Sequence, residues 1–97
     1  MLSVTQQKIL LALLRAGKPL TVRKLMEVAG IQYNIRMHLE YLSSLKLITM
    51  NIEDTFPRRK FVMLTNRGLV IAKLLEQINS ILNETHKEIT IHAFKES

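Results

Sequence analysis

Ala29-Gly30-Ile31-Gln32-Tyr33-Asn34-Ile35-Arg36-Met37-His38-Leu39-Glu40-Tyr41-Leu42-Ser43-Ser44-Leu45-Lys46-Leu47-Ile48 is the stretch whose reading decides the fold. Ile35, Leu39, Leu42 and Leu45 recur three or four residues apart, which makes one apolar stripe on a helix. Tyr33, Asn34, Arg36, Met37, Glu40 and Tyr41 occupy the opposite face. Gly30 stops whatever precedes the helix, and Leu47-Ile48 opens an extended run after it. A helix held by one side, with a polar, basic and aromatic face left over, has the make-up of a DNA-reading helix. An ordinary surface helix has the same make-up, so the neighbouring segments must decide.

Upstream, Ser3-Val4-Thr5-Gln6 reads as a capping box, with Gln6 reaching back to the cap. Ile9, Leu10, Leu13 and Leu14 then form a helical stripe, and Gly17 followed by Pro19 stops it. The spacing predicts a first helix over Val4–Ala16. Lys18-Pro19-Leu20 reads as a short extended link. Thr21 caps a second helix, Val22–Ala29, with Leu25, Val28 and Ala29 facing inward. Two short helices joined by a Gly-containing turn, after a first helix, form a helix-turn-helix pattern.

Downstream the period changes. Ile48, Met50 and Ile52 alternate with Thr49, Asn51 and Glu53, a strand with one buried face. Asp54 and Pro57 favour a turn. Lys60-Phe61-Val62-Met63-Leu64 is a second strand, so the pair forms a hairpin with Arg58, Arg59 and Lys60 as a compact basic tip. Phe56 is expected to fold back beneath that hairpin. Thr65 caps a long helix in which Leu69, Ala72, Leu75, Ile78 and Leu82 form a stripe. Val70, Ile71, Leu74 and Ile81 widen that stripe over most of the circumference. A small domain cannot bury a helix that is apolar nearly all round. To Leu82 this helix has about eighteen residues and a length of roughly 27 Å. Beyond it, residues 84–88 can continue the helix, whereas Ile89-Thr90-Ile91-His92 alternates like a strand.

Composition bounds the function. The chain of 97 residues, 47% hydrophobic and without cysteine, is one small domain with a core and with no disulfide or thiolate metal site. Residues 1–66 hold ten Lys and Arg against four Asp and Glu, while residues 67–97 hold four of each. The net charge of +6 therefore belongs to the first two thirds. A polyanionic partner follows, nucleic acid first and an anionic membrane second. The early apolar run of residues 9–14 is too short to span a bilayer. With no signal peptide, the expectation is a cytoplasmic protein with no membrane partner. His38, His86 and His92 lack metal-ligand spacing. No Gly-rich phosphate loop or nucleophile motif occurs, so the reading is a non-enzyme with no cofactor and no metal.

The order helix, link, helix, turn, helix, hairpin, helix is that of a winged helix-turn-helix, mostly α with a two-stranded wing. The residues resemble MarR-, ArsR- and PadR-type regulators. Ala29-Gly30-Ile31, Ile35, His38-Leu39 and Leu42 to Leu45-Lys46-Leu47-Ile48 look like the stretch where their recognition helix runs into a leucine, small residue, leucine-isoleucine ending. Leu64-Thr65-Asn66-Arg67-Gly68 looks like the leucine-threonine-x-x-glycine that opens their post-wing helix. The likeness runs from Val4 to Leu82. It extends to the small winged-helix regulators of archaea and their viruses, which put a dimerising helix after the wing. Two departures stand out. Lys46 occupies a place where glycine is usual, so the helix is expected to end there without the easy left-handed residue. The turn before the recognition helix is shorter by about a residue.

The resemblance implies sequence-specific double-stranded DNA binding by a homodimer, with residues 1–64 as the DNA-binding domain and residues 65–97 as dimerisation helix and tail. On that reading Arg36 bonds guanine and Asn34 either pairs with adenine or caps its helix. Tyr33 and Met37 meet thymine methyls, and Gln32 touches a base or a phosphate. Glu40 is expected in an intramolecular pair, and His38 in the core. Arg23 and Lys24, in the first turn of the second helix, and Arg58, Arg59 and Lys60 in the wing contact phosphate or the minor groove. Ile71, Leu74, Leu75, Ile78 and Leu82 form the dimer interface. The rival reading is a winged-helix adaptor that binds protein through Tyr33, Met37, Tyr41, Phe56 and Phe61. RNA binding is disfavoured by the scarcity of aromatics for stacking. An effector is not legible.

Overall fold

The computed structural model describes the backbone of residues 1–96 and the side chains of residues 1–84. Helix α1 (Val4–Ala16) begins with the capping box that its first residues encode: Ser3 accepts from the Gln6 amide at 3.1 Å, and Gln6 Oε1 accepts from the Ser3 amide at 2.9 Å. Gly17 ends the helix at φ 65°, a left-handed conformation that costs glycine little. Helix α2 (Val22–Ala29) is capped by Thr21, whose hydroxyl accepts from the Lys24 amide at 3.1 Å. Helix α3 (Ile35–Ser44) follows after the Gly30 turn. Ile9, Leu10, Leu25 and Leu42 are wholly buried where these three helices meet. His38 is half-buried at this junction, where Gln6 Nε2 lies 3.2 Å from its Nδ1 and ties α1 to α3.

Two inward-facing expectations fail. Val28 is 53% exposed, because α2 is a short helix that buries only Leu25 fully and turns Val28 toward the flank of α1. The hairpin of β2 (Ile48–Ile52) and β3 (Lys60–Leu64) is present, with Ile48 opposite Leu64 and Met50 opposite Val62. The alternation buries Ile48 and half-buries Met50, but Ile52 is 56% exposed. It pairs with Lys60 at the outer end of the wing, beyond the reach of the helices.

The expected link at Lys18-Pro19-Leu20 is instead the approach to a strand. Leu20–Thr21 forms β1, antiparallel to β3, so the sheet has three strands in the order β1-β3-β2. This makes β3 central, and Val62, opposite Leu20 on one side and Met50 on the other, is wholly buried. A two-residue strand has no period of its own; it exists because β3 offers it an edge.

Helix α4 (Asn66–Glu96) is longer than the eighteen residues its clear stripe predicts. The backbone continues as helix through residues 89–94, which settles the choice between helix and strand there. At 31 residues it is about 46 Å long, and the molecule measures 63 × 25 × 22 Å. Its root is tied down tightly. Thr65 N–H donates to the Leu47 carbonyl at 3.0 Å, and the Thr65 hydroxyl donates to the Lys46 carbonyl at 2.7 Å. The same hydroxyl accepts from the Gly68 amide at 3.0 Å and caps the helix. Gly68 is buried, and a Cβ there would overlap the Leu47 carbonyl oxygen and lie 2.9 Å from its carbon. The glycine of the leucine-threonine-x-x-glycine run is thus a packing requirement.

The end of α3 comes at Lys46 without glycine, as expected. Lys46 itself adopts the left-handed conformation, at φ 60°, and does so without glycine's advantage. Leu47 N–H then reaches back to the Leu42 carbonyl at 3.0 Å, and Lys46 N–H to Ser43 at 2.9 Å, which closes the helix with a Schellman-type turn. That turn presents the Lys46 and Leu47 carbonyls to Thr65.

Candidate nucleic-acid interface

One face of α3 is core and the other is open. Ile35, Leu39 and Leu42 are buried, whereas Tyr33, Met37 and Tyr41 are exposed, Tyr33 to 77%. Gln32, Asn34 and Arg36 are exposed on the same segment. Asn34 stands at the cap position, but at φ 59° and with no capping bond from its side chain. The left-handed backbone turns the amide away from the helix, so the side chain is free for an outside partner, and the first N–H groups of α3 have no side-chain acceptor. The reading that Asn34 caps through its side chain is therefore corrected.

Arg36 carries its own counter-ion. Its Nε donates to Glu40 Oε1 at 3.1 Å, one helical turn on, with the two side chains 88% and 63% exposed. An exposed pair of this kind holds only weakly, about 0.3–0.5 kcal/mol, and can yield to a better acceptor. The intramolecular role expected of Glu40 is thus present.

The three wing cations do not form one compact tip. Arg58 sits in the turn at φ 54°, its N–H bonded to the Thr55 carbonyl at 2.8 Å. Arg59 folds back across the hairpin onto Glu53, 2.6 Å away, and its guanidinium lies 5.4 Å from the centroid of the Phe61 ring. Lys60 shares its sheet side with Val62 and Leu64, and so points toward the helices. There it lines a cleft of about 280 Å³ with Val22, Ile35, Arg36, Leu39, Glu40 and Met50. The strand alternation separates residues that are adjacent in sequence. Phe56 is 93% exposed in the loop rather than folded beneath the hairpin.

Arg23 and Lys24 are both exposed in the first turn of α2, and Lys24 Nζ lies 3.6 Å from Glu27. The structure thus brings Arg36 and Lys60 together at one cleft, keeps Arg58 exposed at the wing end, and holds Arg59 against its own element. Glu53 was not legible as a partner for Arg59, since its position six residues away matters only once the hairpin has closed.

On α4 the five interface candidates divide. Ile71 and Leu75 are half-buried and pack on the core beside the wholly buried Ala72. Leu74, Ile78 and Leu82 are 49–60% exposed, joined by Val70 and Ile81. Among the described residues, no three His, Cys, Asp or Glu side chains gather as a metal site, and no helix is long and apolar enough to cross a membrane.

The arrangement is a winged helix-turn-helix of MarR-like form, continued by a long helix. The whole-fold comparison agrees. The DNA-binding protein Sso10a-2 of Sulfolobus solfataricus superposes with a TM-score of 0.72 at 18% identity, over 90% of each chain. ZitR of Lactococcus lactis, a zinc-responsive MarR family member, gives 0.77 at 23% identity over 92% of this chain and 61% of its own. MepR, a transcription regulator of the Staphylococcus aureus multidrug efflux pump MepA, gives 0.76 at 20% identity over 90% of this chain and 64% of its own. The chain thus spans under two thirds of the length of ZitR and MepR but nearly all of Sso10a-2. No family model and no curated relative matches the sequence.

Proposed function

We propose that the protein is a double-stranded DNA-binding transcriptional regulator that acts as a homodimer. In this reading α3 enters the major groove and the wing follows the minor groove or the phosphates. The observation that carries it is the cleft where Arg36 of α3 meets Lys60 of the wing, with Asn34 uncapped at the start of α3 and Arg58 exposed in the wing turn. Arg36 exchanges Glu40 for a guanine edge, a swap that the exposed pair permits at low cost. Asn34, with its side chain uncommitted, is the second base reader, and Tyr33, Met37 and Gln32 complete the surface. Arg23, Lys24, Arg58 and Lys60 neutralise phosphates. Arg59 acts mainly as a stiffener of the wing.

Residues 1–64 do the reading and residues 65–97 the pairing, although the root of α4 also completes the reader's core. Two-fold pairing through Leu74, Ile78 and Leu82 places two α3 helices about one DNA turn apart on a palindromic site. The structural neighbours whose names say that they bind DNA or regulate transcription support the same reading.

The test is fluorescence anisotropy of duplex DNA at several salt concentrations. The wild type is expected to bind with a steep salt dependence, and Arg58→Ala/Lys60→Ala to lose about 1.8 from the logarithmic slope per subunit. Arg36→Ala is expected to cost about 1–3 kcal/mol on a selected site and little on random duplex. No binding by the wild type at low salt sinks the DNA reading.

A further inference from the structure

A second charged surface shares only Lys24 with the residues proposed to contact DNA. The flanks of α1 and α2 enclose a groove of about 490 Å³. Its floor is apolar, with Leu11 and Leu20 at the bottom and the exposed Val28 along one wall. Lys8, Arg15, Lys18 and Lys24 surround it, and no acidic residue lines it. Arg15 and Lys24 each have an exposed carboxylate 3.6 Å away, Glu76 and Glu27, both outside the groove. Lys8 and Lys18 have no ion-pair partner among the described residues.

The spacing of the charges selects the occupant. Lys8 and Arg15 stand two turns apart along α1, about 10.5 Å, so one small carboxylate cannot serve both. A phosphate chain answers the charges but gains nothing from Leu11, Leu20 and Val28. The complement of this groove is a rod with carboxylates two turns apart and aliphatic side chains between them. We propose that the groove docks an acidic amphipathic helix of a partner protein, its carboxylates on Lys8, Arg15 and Lys18 and its apolar stripe on Val28 and the floor. This surface differs from that of the adaptor reading, which uses Tyr33, Met37 and Tyr41 on α3.

The probe is a fluorescein-labelled synthetic helix of leucines at helical spacing with glutamates two turns apart, titrated with the full chain. Lys8→Glu/Lys18→Glu and, separately, Val28→Asp are expected to weaken binding at least about tenfold, with circular dichroism unchanged because all three residues are exposed. Val28→Ile is expected to keep it. Binding that persists with saturating tripolyphosphate present supports a helix as the occupant. The proposal is overturned if the wild type does not bind the peptide, or if a version with glutamine for glutamate binds as well. Displacement by tripolyphosphate or by decanoate also overturns it, since the occupant would then be a phosphate chain or a small carboxylate.

Discussion

Two surfaces of α4 are built from the same aliphatic residues and behave differently. At the root, Ala72 is wholly buried, Ile71 and Leu75 are half-buried, and Gly68 lies against the Leu47 carbonyl. On the outward side and farther along, Leu74, Ile78, Ile81 and Leu82 are about half exposed or more. Burying a leucine or isoleucine fully contributes about 1.5–3 kcal/mol, so the distal residues leave much of that contribution unrealised within one chain. The contrast teaches that the root is part of the domain, whereas Leu74, Ile78, Ile81 and Leu82 form a surface without a partner in the monomer. Pairing with a second copy is the reading proposed for it.

Gly68→Ala is the strongest way to break the contrast. The added methyl meets backbone held at both ends by Thr65, so the chain cannot step aside without losing the cap. A loss of about 3 kcal/mol is expected, read from the urea midpoint; a loss under about 1 kcal/mol would mean that the root is not locked. Leu74→Asp/Ile78→Asp attacks the outward surface. Sedimentation is expected to show a wild-type dimer and a variant monomer with association at least about 100-fold weaker, while helicity is kept. A monomeric wild type, or an unaffected dimer, defeats the pairing proposal.

Two smaller effects sharpen the limits of the locked root. Lys46→Gly relieves a left-handed lysine at the turn that receives α4. It is expected to raise stability by about 0.5–1 kcal/mol, the backbone relief being partly offset by glycine's greater freedom when unfolded. Arg15→Ala removes the ion pair between α1 and Glu76, whose side chains are 64% and 49% exposed. Its expected effect on the thermal midpoint corresponds to less than about 0.5 kcal/mol. A larger change would extend the locked root outward to Glu76.

The wing offers the clearest example of what was not legible. Arg58, Arg59 and Lys60 read as one basic cluster because they are consecutive. Strand alternation sends Lys60 toward α3, and Glu53 with Phe61 captures Arg59. The face of α3 was legible almost residue by residue, because a 3.6-residue period states which side is core. Whether Asn34 caps through its side chain was not, since that depends on a backbone conformation that asparagine adopts readily in either case.

By itself, the sequence determined what is local and periodic: the capping box at Ser3, the stops at Gly17 and Gly30, the apolar stripes of α1 and α3, and the hairpin. These follow from hydrogen-bonding and steric choices made within a few residues. Only the tertiary structure decided that Leu20 and Thr21 form a third strand, that Val28 turns to a groove, and that Gly68 must be glycine. Each of these is settled by a neighbour distant in the chain, Val62 for Leu20 and Leu47 for Gly68, and no local pattern carries that contact.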